Sequence, residues 1–351
     1  MTRPILLCTL PMWFALLFPG CAPEETTGPP PPAPAVLKGV LILNEGNFQR
    51  GNASLSLFLP DSGMMVNDVY QALTGKPLGD TGNSLTLHNG YLYIVVNGSN
   101  RVEVLELSSG RHVRTIDCPP GSSPRYIAFG SDGYGYISNI YTNCLSIYDP
   151  ATNEITGRIP VGNNPEQMLV HGNDLYVANS GFGNGNTVSV VDLSRAEVVK
   201  TLNVGDNPVW IERKNPSEAL VLCAGAYHDF ADPNDDTPGA LYTIDLTTRS
   251  VIDSLTLGGH PQRLTLDGAG HCYTVQQDGI QRVDLSAKRI TERFISGRFS
   301  TVLFDVKRSL VYAADPLDYL QPGRFFVYDT LGRKLGTYTV GIIPGAMLIA
   351  E

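Results

Sequence analysis

The side chains of this 351-residue chain best equipped to hold a ligand are aromatic and hydrogen-bonding rather than nucleophilic. One series is Phe48, Gln49 and Arg50, then Asn97, Tyr141, Phe182 and Asn184, then Tyr227, His228, Phe230 and Tyr319; a second is Arg125, Glu166, Trp210, Arg263 and Arg298. Aromatic rings interleaved with Arg, Asn and Gln suit a broad amphipathic ligand, held by apolar contact and a few directional hydrogen bonds. For each aromatic the alternative is a place in the core. A separate set, Glu45, Asn139, Asn179 and Asp315, has the oxygen and amide donors of a metal-dependent hydrolase. Asn at a recurring position is equally a turn cap. Asp229, Asp232, Asp235 and Asp236 crowd around Asn234 as a Ca2+ loop or a solvated acidic loop would, without EF-hand spacing. The six His do not pair at ligand spacing, and neither G-x-S-x-G nor a P-loop is present. No catalytic residue, resident metal or cofactor is expected.

A repeat must position these residues. Gly79, Gly121, Gly162, Gly205, Gly258, Gly297 and Gly341 recur at spacings of 42, 41, 43, 53, 39 and 44 residues. Pro follows three residues later in five of the seven, the exceptions being Gly82 and Ser300. Periods of about 40 to 45 residues are those of propeller blades. In the unit after Gly162, segments 167–170, 175–179, 188–193 and 197–202 read as strands, joined by turns rich in Asn, Asp and Gly. The third strand ends on a recurring Asp (Asp149, Asp192, Asp245, Asp284, Asp329), 12 or 13 residues before the next marker Gly. From marker Gly to that Asp the length runs from 26 to 40 residues, which places the insertions between strands two and three. That loop and the Gly-x-x-Pro connection open on one face of a propeller, so both candidate series belong to it. Residues 341–349 read as a connection plus first strand and 39–44 as a second strand. The chain ends therefore share one blade and close a seven-bladed, all-β ring.

Composition agrees. Subtracting 34 acidic from 25 basic residues leaves a charge of −9, which opposes binding to nucleic-acid backbones. With 42% hydrophobic and 17% charged residues the chain has the apolar content to fold, and 36 Gly with 25 Pro favour short strands and tight turns.

Ahead of the repeat, Arg3, the apolar run 5–18 and Phe18-Pro19-Gly20-Cys21 resemble a bacterial lipoprotein signal. The expected organisation is a signal peptide over 1–20, lipidated Cys21 with a Pro-rich tether over 21–35, and the propeller over 36–351. Membrane contact is then through the anchor alone. Cys118, Cys144, Cys223 and Cys272 lack metal-type spacing, and no disulfide is required.

Pro165 to Leu193, with Leu175-Tyr176-Val177-Ala178-Asn179 and Val188-Ser189-Val190-Val191-Asp192, resembles the YncE-type repeat of bacterial seven-bladed propellers. Cys223 and Gln276 depart from it, standing where Asn139 and Asn179 stand in their units. The opening Leu43-Asn44-Glu45-Gly46-Asn47-Phe48 and Gly51-Asn52-Ala53-Ser54-Leu55-Ser56 are similar to a narrower branch, lipoproteins of Bacteroidota encoded with TonB-dependent transporters. Glu24 and Glu25 after Cys21 resemble the surface-export signal of that group. The best-defined members are BtuG-type proteins. That resemblance implies an outer-membrane lipoprotein facing the cell exterior, which captures cobalamin or a related corrinoid and delivers it to a BtuB-type transporter. The family's ligand contacts do not map onto this chain one by one. The expected binding residues are therefore those of the face: Phe48, Arg50, Asn97, Arg125, Tyr141, Glu166, Phe182, Trp210, Tyr227, Phe230, Arg263, Arg298 and Tyr319. Two alternatives are a lactonase-like hydrolase using the central channel and a protein- or glycan-binding propeller.

Overall fold

The computed structural model describes residues 36–227 and 235–351. They form seven antiparallel four-stranded sheets in a ring, a seven-bladed β-propeller. Blade four shows the unit: Pro165–His171, Asp174–Asn179, Thr187–Asp192 and Glu197–Asn203 succeed one another from the central channel outward. Its second strand is buried along its whole length, whereas its fourth is mostly exposed. Such a gradient explains why Leu, Val, Ala and Tyr fill one and Glu, Lys and Thr enter the other. The signal peptide, Cys21 and the tether lie outside the described residues, as do His228, Asp229, Phe230, Asp232 and Asn234.

The ring closes through its two ends. Pro344–Ala350 is the innermost strand of blade one and pairs with Gly39–Asn44, setting Val40 opposite Ile349 and Ile42 opposite Met347. Between each pair of neighbouring blades lies one hydrophobic cluster, seven in all. All are built from residues beyond 36, so the ring carries a complete core of its own. A buried Tyr recurs in the second strand, at Tyr93, Tyr136, Tyr176, Tyr273 and Tyr312. The Tyr176 hydroxyl donates to the Leu246 carbonyl of blade five at 2.8 Å, so the ring buries apolar area while its polar tip stays satisfied.

Gly162 and Gly341 have a steric cause, whereas Gly121 and Gly258 have open space beside them and a positive φ of 75°. A Cβ on Gly162 would sit 2.5 Å from Asn179 Cγ, and one on Gly341 would sit 2.7 Å from Asn44 Cγ. These two connections therefore cross directly over the last residue of a second strand. Those Asn side chains are pins within a blade: Asn44, Asn139 and Asn179 donate Nδ2 to Ser56, Ser146 and Ser189 of the adjoining strand, at 3.0, 2.9 and 3.0 Å.

The recurring Asp shapes the opposite end. Oδ1 of Asp149, Asp192, Asp245, Asp284 and Asp329 accepts the backbone N–H two residues ahead, over 2.8 to 3.1 Å. These turns fix where the fourth strand begins. At the other end, connections bond to the loops between strands two and three, as in Ser180 N–H to Asn164 O and Ala224 N–H to Asn207 O. The insertions and connections thus share what is called the loop face below. One element lacked a sequence signal: the helix Val69–Thr74, within the connection from blade one to blade two. It buries Val69 and Tyr70 against the first cluster. At six residues it draws its stability from that packing rather than from helix propensity.

Candidate ligand-binding site

Five of the six aromatics exposed among the described residues project from loop-face insertions: Phe48, Tyr141, Phe182, Tyr227 and Tyr319. Phe48 is the most open of them at 72%, beside exposed Arg50. The sixth, Tyr134, belongs to a turn at the opposite end. Tyr141 and Phe182 meet across blades three and four with ring centres 5.8 Å apart. Tyr227 lies over the His260 imidazole at 3.6 Å and 25°. Next to that pair, between blades five, six and seven, opens a groove of about 510 Å³ lined by Tyr227, His260, Gln262, Gln277, Arg298, Phe299 and Tyr319.

The groove's side chains are held in place. Arg298 Nη2 donates to the Leu317 carbonyl at 2.6 Å, fixing the blade-seven loop. Asn47 Nδ2 donates to the Tyr319 carbonyl at 2.6 Å, tying that loop to blade one. Gln276 Nε2 reaches Gly258 O at 3.1 Å, so its side chain braces the connection that carries His260. Asp236 comes within 3.8 Å of His260 Nε2. Among the described residues no carboxylate lines the groove. Its chemistry is aromatic, amide and cationic, which suits a ligand with flat apolar area and hydrogen-bond acceptors.

Apart from Arg298, the second series lies elsewhere. Arg125, Glu166, Trp210 and Arg263 stand near the start of innermost strands, at the mouth of the central channel rather than on exposed loops. Arg125 and Glu166 form a two-pronged ion pair, Nε to Oε2 at 2.9 Å and Nη2 to Oε1 at 3.2 Å. Arg263 spans the mouth from blade six, donating to the Tyr126 hydroxyl of blade three at 2.9 Å and to the Gly345 carbonyl of blade one at 3.2 Å. Its guanidinium also lies 5.3 Å from the Trp210 ring centre. Together these contacts strap the channel at its loop-face end. Burial raises the Glu45 carboxyl, a shift opposed by Arg263 and Arg125 nearby.

Bulges explain the placement. At the start of the innermost strand, pairing slips between Gly82 and Ser84, Pro124 and Ile127, Pro165 and Met168, Pro208 and Trp210, and Gln262 and Leu264. A bulge turns the extra residue away from the regular alternation, here Arg125, Glu166 and Arg263 toward the mouth. Asn97 is committed as well, donating Nδ2 to Pro124 O of the next blade at 2.9 Å. Of the expected set, Tyr227, Arg298 and Tyr319 share the groove, and Tyr141 with Phe182 form a separate pair on blades three and four. His260, Gln262, Gln277 and Phe299 were missed, although His260 sits inside a Gly-x-x-Pro connection and Gln277 in a loop between strands two and three, both legible in the repeat.

The hydrolase set is not gathered. Asn139 and Asn179 are the buried pins described above, and Asp315 caps the Leu317 N–H at 2.8 Å. Among the described residues no group of three His, Cys, Asp or Glu side chains is placed to hold a metal ion. Cys118, Cys223 and Cys272 are buried, and burial pushes the Cys118 and Cys272 thiols up to about 12.

A closed ring of seven four-stranded blades, with short turns at one end and aromatic-rich insertions at the other, defines a seven-bladed β-propeller with a specialised loop face. Residues 38–213 match the family described as "Domain of unknown function (DUF5074)", and the chain belongs to that family. No curated protein matches it. Among solved structures it is similar to a chain of Kuenenia stuttgartiensis hydrazine synthase, with a TM-score of 0.60 and 14% identity over 75% of this chain and 87% of that one. At that identity the likeness is one of fold.

Proposed function

We propose that this propeller is a capture protein, lipid-anchored at Cys21 in the outer membrane and facing the cell exterior. It takes cobalamin or a related corrinoid on its loop face and delivers it, without transforming it, to a TonB-dependent transporter of the BtuB type. One observation carries the reading: insertions from five blades leave Phe48, Tyr141, Phe182, Tyr227 and Tyr319 exposed on a single face, and Tyr227 and Tyr319 line a groove there that offers Arg298, Gln262 and Gln277. A corrin is broad and flat with amide arms. Its ring edges find aromatic faces, and its amide carbonyls find the guanidinium and carboxamide donors. The sequence resemblance to BtuG-type lipoproteins supports the same ligand.

The test is a titration of residues 36–351 with cyanocobalamin at micromolar protein, following visible absorbance and heat. Saturation at one equivalent is the expected result. Absence of binding at that concentration removes the corrinoid assignment and leaves the fold unaffected.

A further inference from the structure

Beneath the Arg263 strap the channel holds a cavity of about 620 Å³, to which all seven innermost strands contribute. Its wall includes Leu85, Ile127, Met168, Leu264, Leu303 and Met347. An innermost strand has a free edge, but side chains of neighbouring blades satisfy much of it here. Ser84 Oγ donates to Arg125 O and Thr86 Oγ1 to Ile127 O. Gln167 Oε1 accepts the Ile211 N–H, and Thr265 Oγ1 accepts that of Phe304. The wall is left with mainly apolar surface to offer a guest.

One carboxylate interrupts that surface. Glu212 lines the cavity, and among the described residues its side chain has a single hydrogen-bond partner, the Trp210 indole Nε1, at 3.2 Å. A carboxylate accepts several hydrogen bonds, so most of its capacity is open. Burial raises its pKa, outweighing the Trp210 hydrogen bond and the nearby Arg213 charge. Among the described residues no cation forms an ion pair with it: Arg213 is bonded to the Val170 and Pro216 carbonyls, and Arg263 to Tyr126 and Gly345. A His88 ring, stacked on Phe129 at 3.9 Å, completes the lining, and burial lowers its pKa, favouring the neutral form.

We propose that the channel is a second ligand site, specific for a slender apolar amine whose ammonium pairs with Glu212 while its hydrocarbon body contacts the Leu, Ile and Met wall. Ion pairing to an underused carboxylate in an apolar enclosure provides the selectivity, because an uncharged analogue leaves it unpaired and an acid repels it. The strap separates this site from the loop face, and the inference does not depend on the corrinoid reading.

Trp210 is the only tryptophan in residues 36–351, and it touches both the strap and Glu212. Its emission therefore reports on the channel. The experiment titrates residues 36–351 at pH 7 with octylamine, octanol and octanoate. Octylamine should shift Trp210 emission to saturation, with octanol and octanoate at least tenfold weaker. Glu212→Gln retains an acceptor for the indole and should weaken octylamine at least tenfold. Leu303→Phe, which narrows the cavity from blade seven without touching the carboxylate, should weaken it too. A signal that never saturates, octanol binding as well as octylamine, or unchanged affinity in both variants overturns the proposal. If Glu212→Gln does not fold, Leu303→Phe together with the three-ligand comparison decides.

Discussion

The two ends of this ring are made from the same repeat yet behave as different materials. At the turn end, the third strand of five of the seven blades finishes on an Asp that takes up backbone N–H groups ahead of it, and the same short link recurs. At the loop face, the segments between strands two and three run from the two residues between Gln276 and Gly279 to the sixteen between Cys223 and Ala240. Nearly all the exposed aromatics are there. A ring that must close tolerates little change where strands are registered, whereas a loop whose ends are already pinned by the connection can lengthen at small entropic cost. Stability and recognition are thus separated along the axis of the propeller.

Four experiments bear on that separation. The largest effect belongs to the interblade core. Phe325→Ala removes a fully buried ring that packs on Phe58 and Tyr312 and should cost about 3–5 kcal/mol in urea unfolding. Tyr227→Ala should remain within about 0.5 kcal/mol of the parent. Comparable losses in the two variants would break the division.

Next comes recognition. Tyr227→Ala should weaken cyanocobalamin by about 2 kcal/mol, or roughly 30-fold, as loss of an aromatic anchor covered by its ligand does. Trp210→Ala serves as its contrast, because the indole sits in the channel wall among core residues. It should lower the melting temperature and leave corrinoid affinity within about threefold. The opposite pattern would move the site from the groove to the channel mouth.

Acid reads the turn end. Hydrogen bonds hold the carboxylates of Asp192, Asp245, Asp284 and Asp329 below the usual range, led by the Ser194 hydroxyl and by the N–H groups of Thr248, Ala287 and Arg333. A depressed folded-state pKa means the contribution is present above the unfolded value, about 3.9. It is lost as pH falls through the folded value. Melting temperature should therefore drop steeply below about pH 4, and Asp245→Asn should flatten that slope while lowering the plateau at pH 7.

The smallest effect is in thiol labelling. Cys144, half-buried at the start of a third strand, should react with a thiol-specific disulfide reagent in the native ring, while Cys118, Cys223 and Cys272 react only after unfolding. Early labelling of Cys223 would show that the blade-five insertion opens the core beneath it.

From the sequence alone one could determine the number of blades, the shared blade that closes the ring, the face that varies and the groups that vary on it. Each of these depends on short-range signals: a Gly required by a close approach or a positive φ, an Asp that shapes its own turn, and a two-residue alternation that tells strand from loop. Tyr227 and Tyr319 were legible for that reason. Tertiary structure alone decided which residues meet. Arg263 and Tyr126 are 137 positions apart and join only because seven blades bring blade six opposite blade three. Bulges at the first strands, invisible to the period, turned Arg125, Glu166 and Arg263 from the loop face into the channel mouth. His260 became a partner of Tyr227 because Gly258 and Gly259 take the left-handed backbone before it. A repeat records how each blade is built, and the curvature of the closed ring sets the distances between blades.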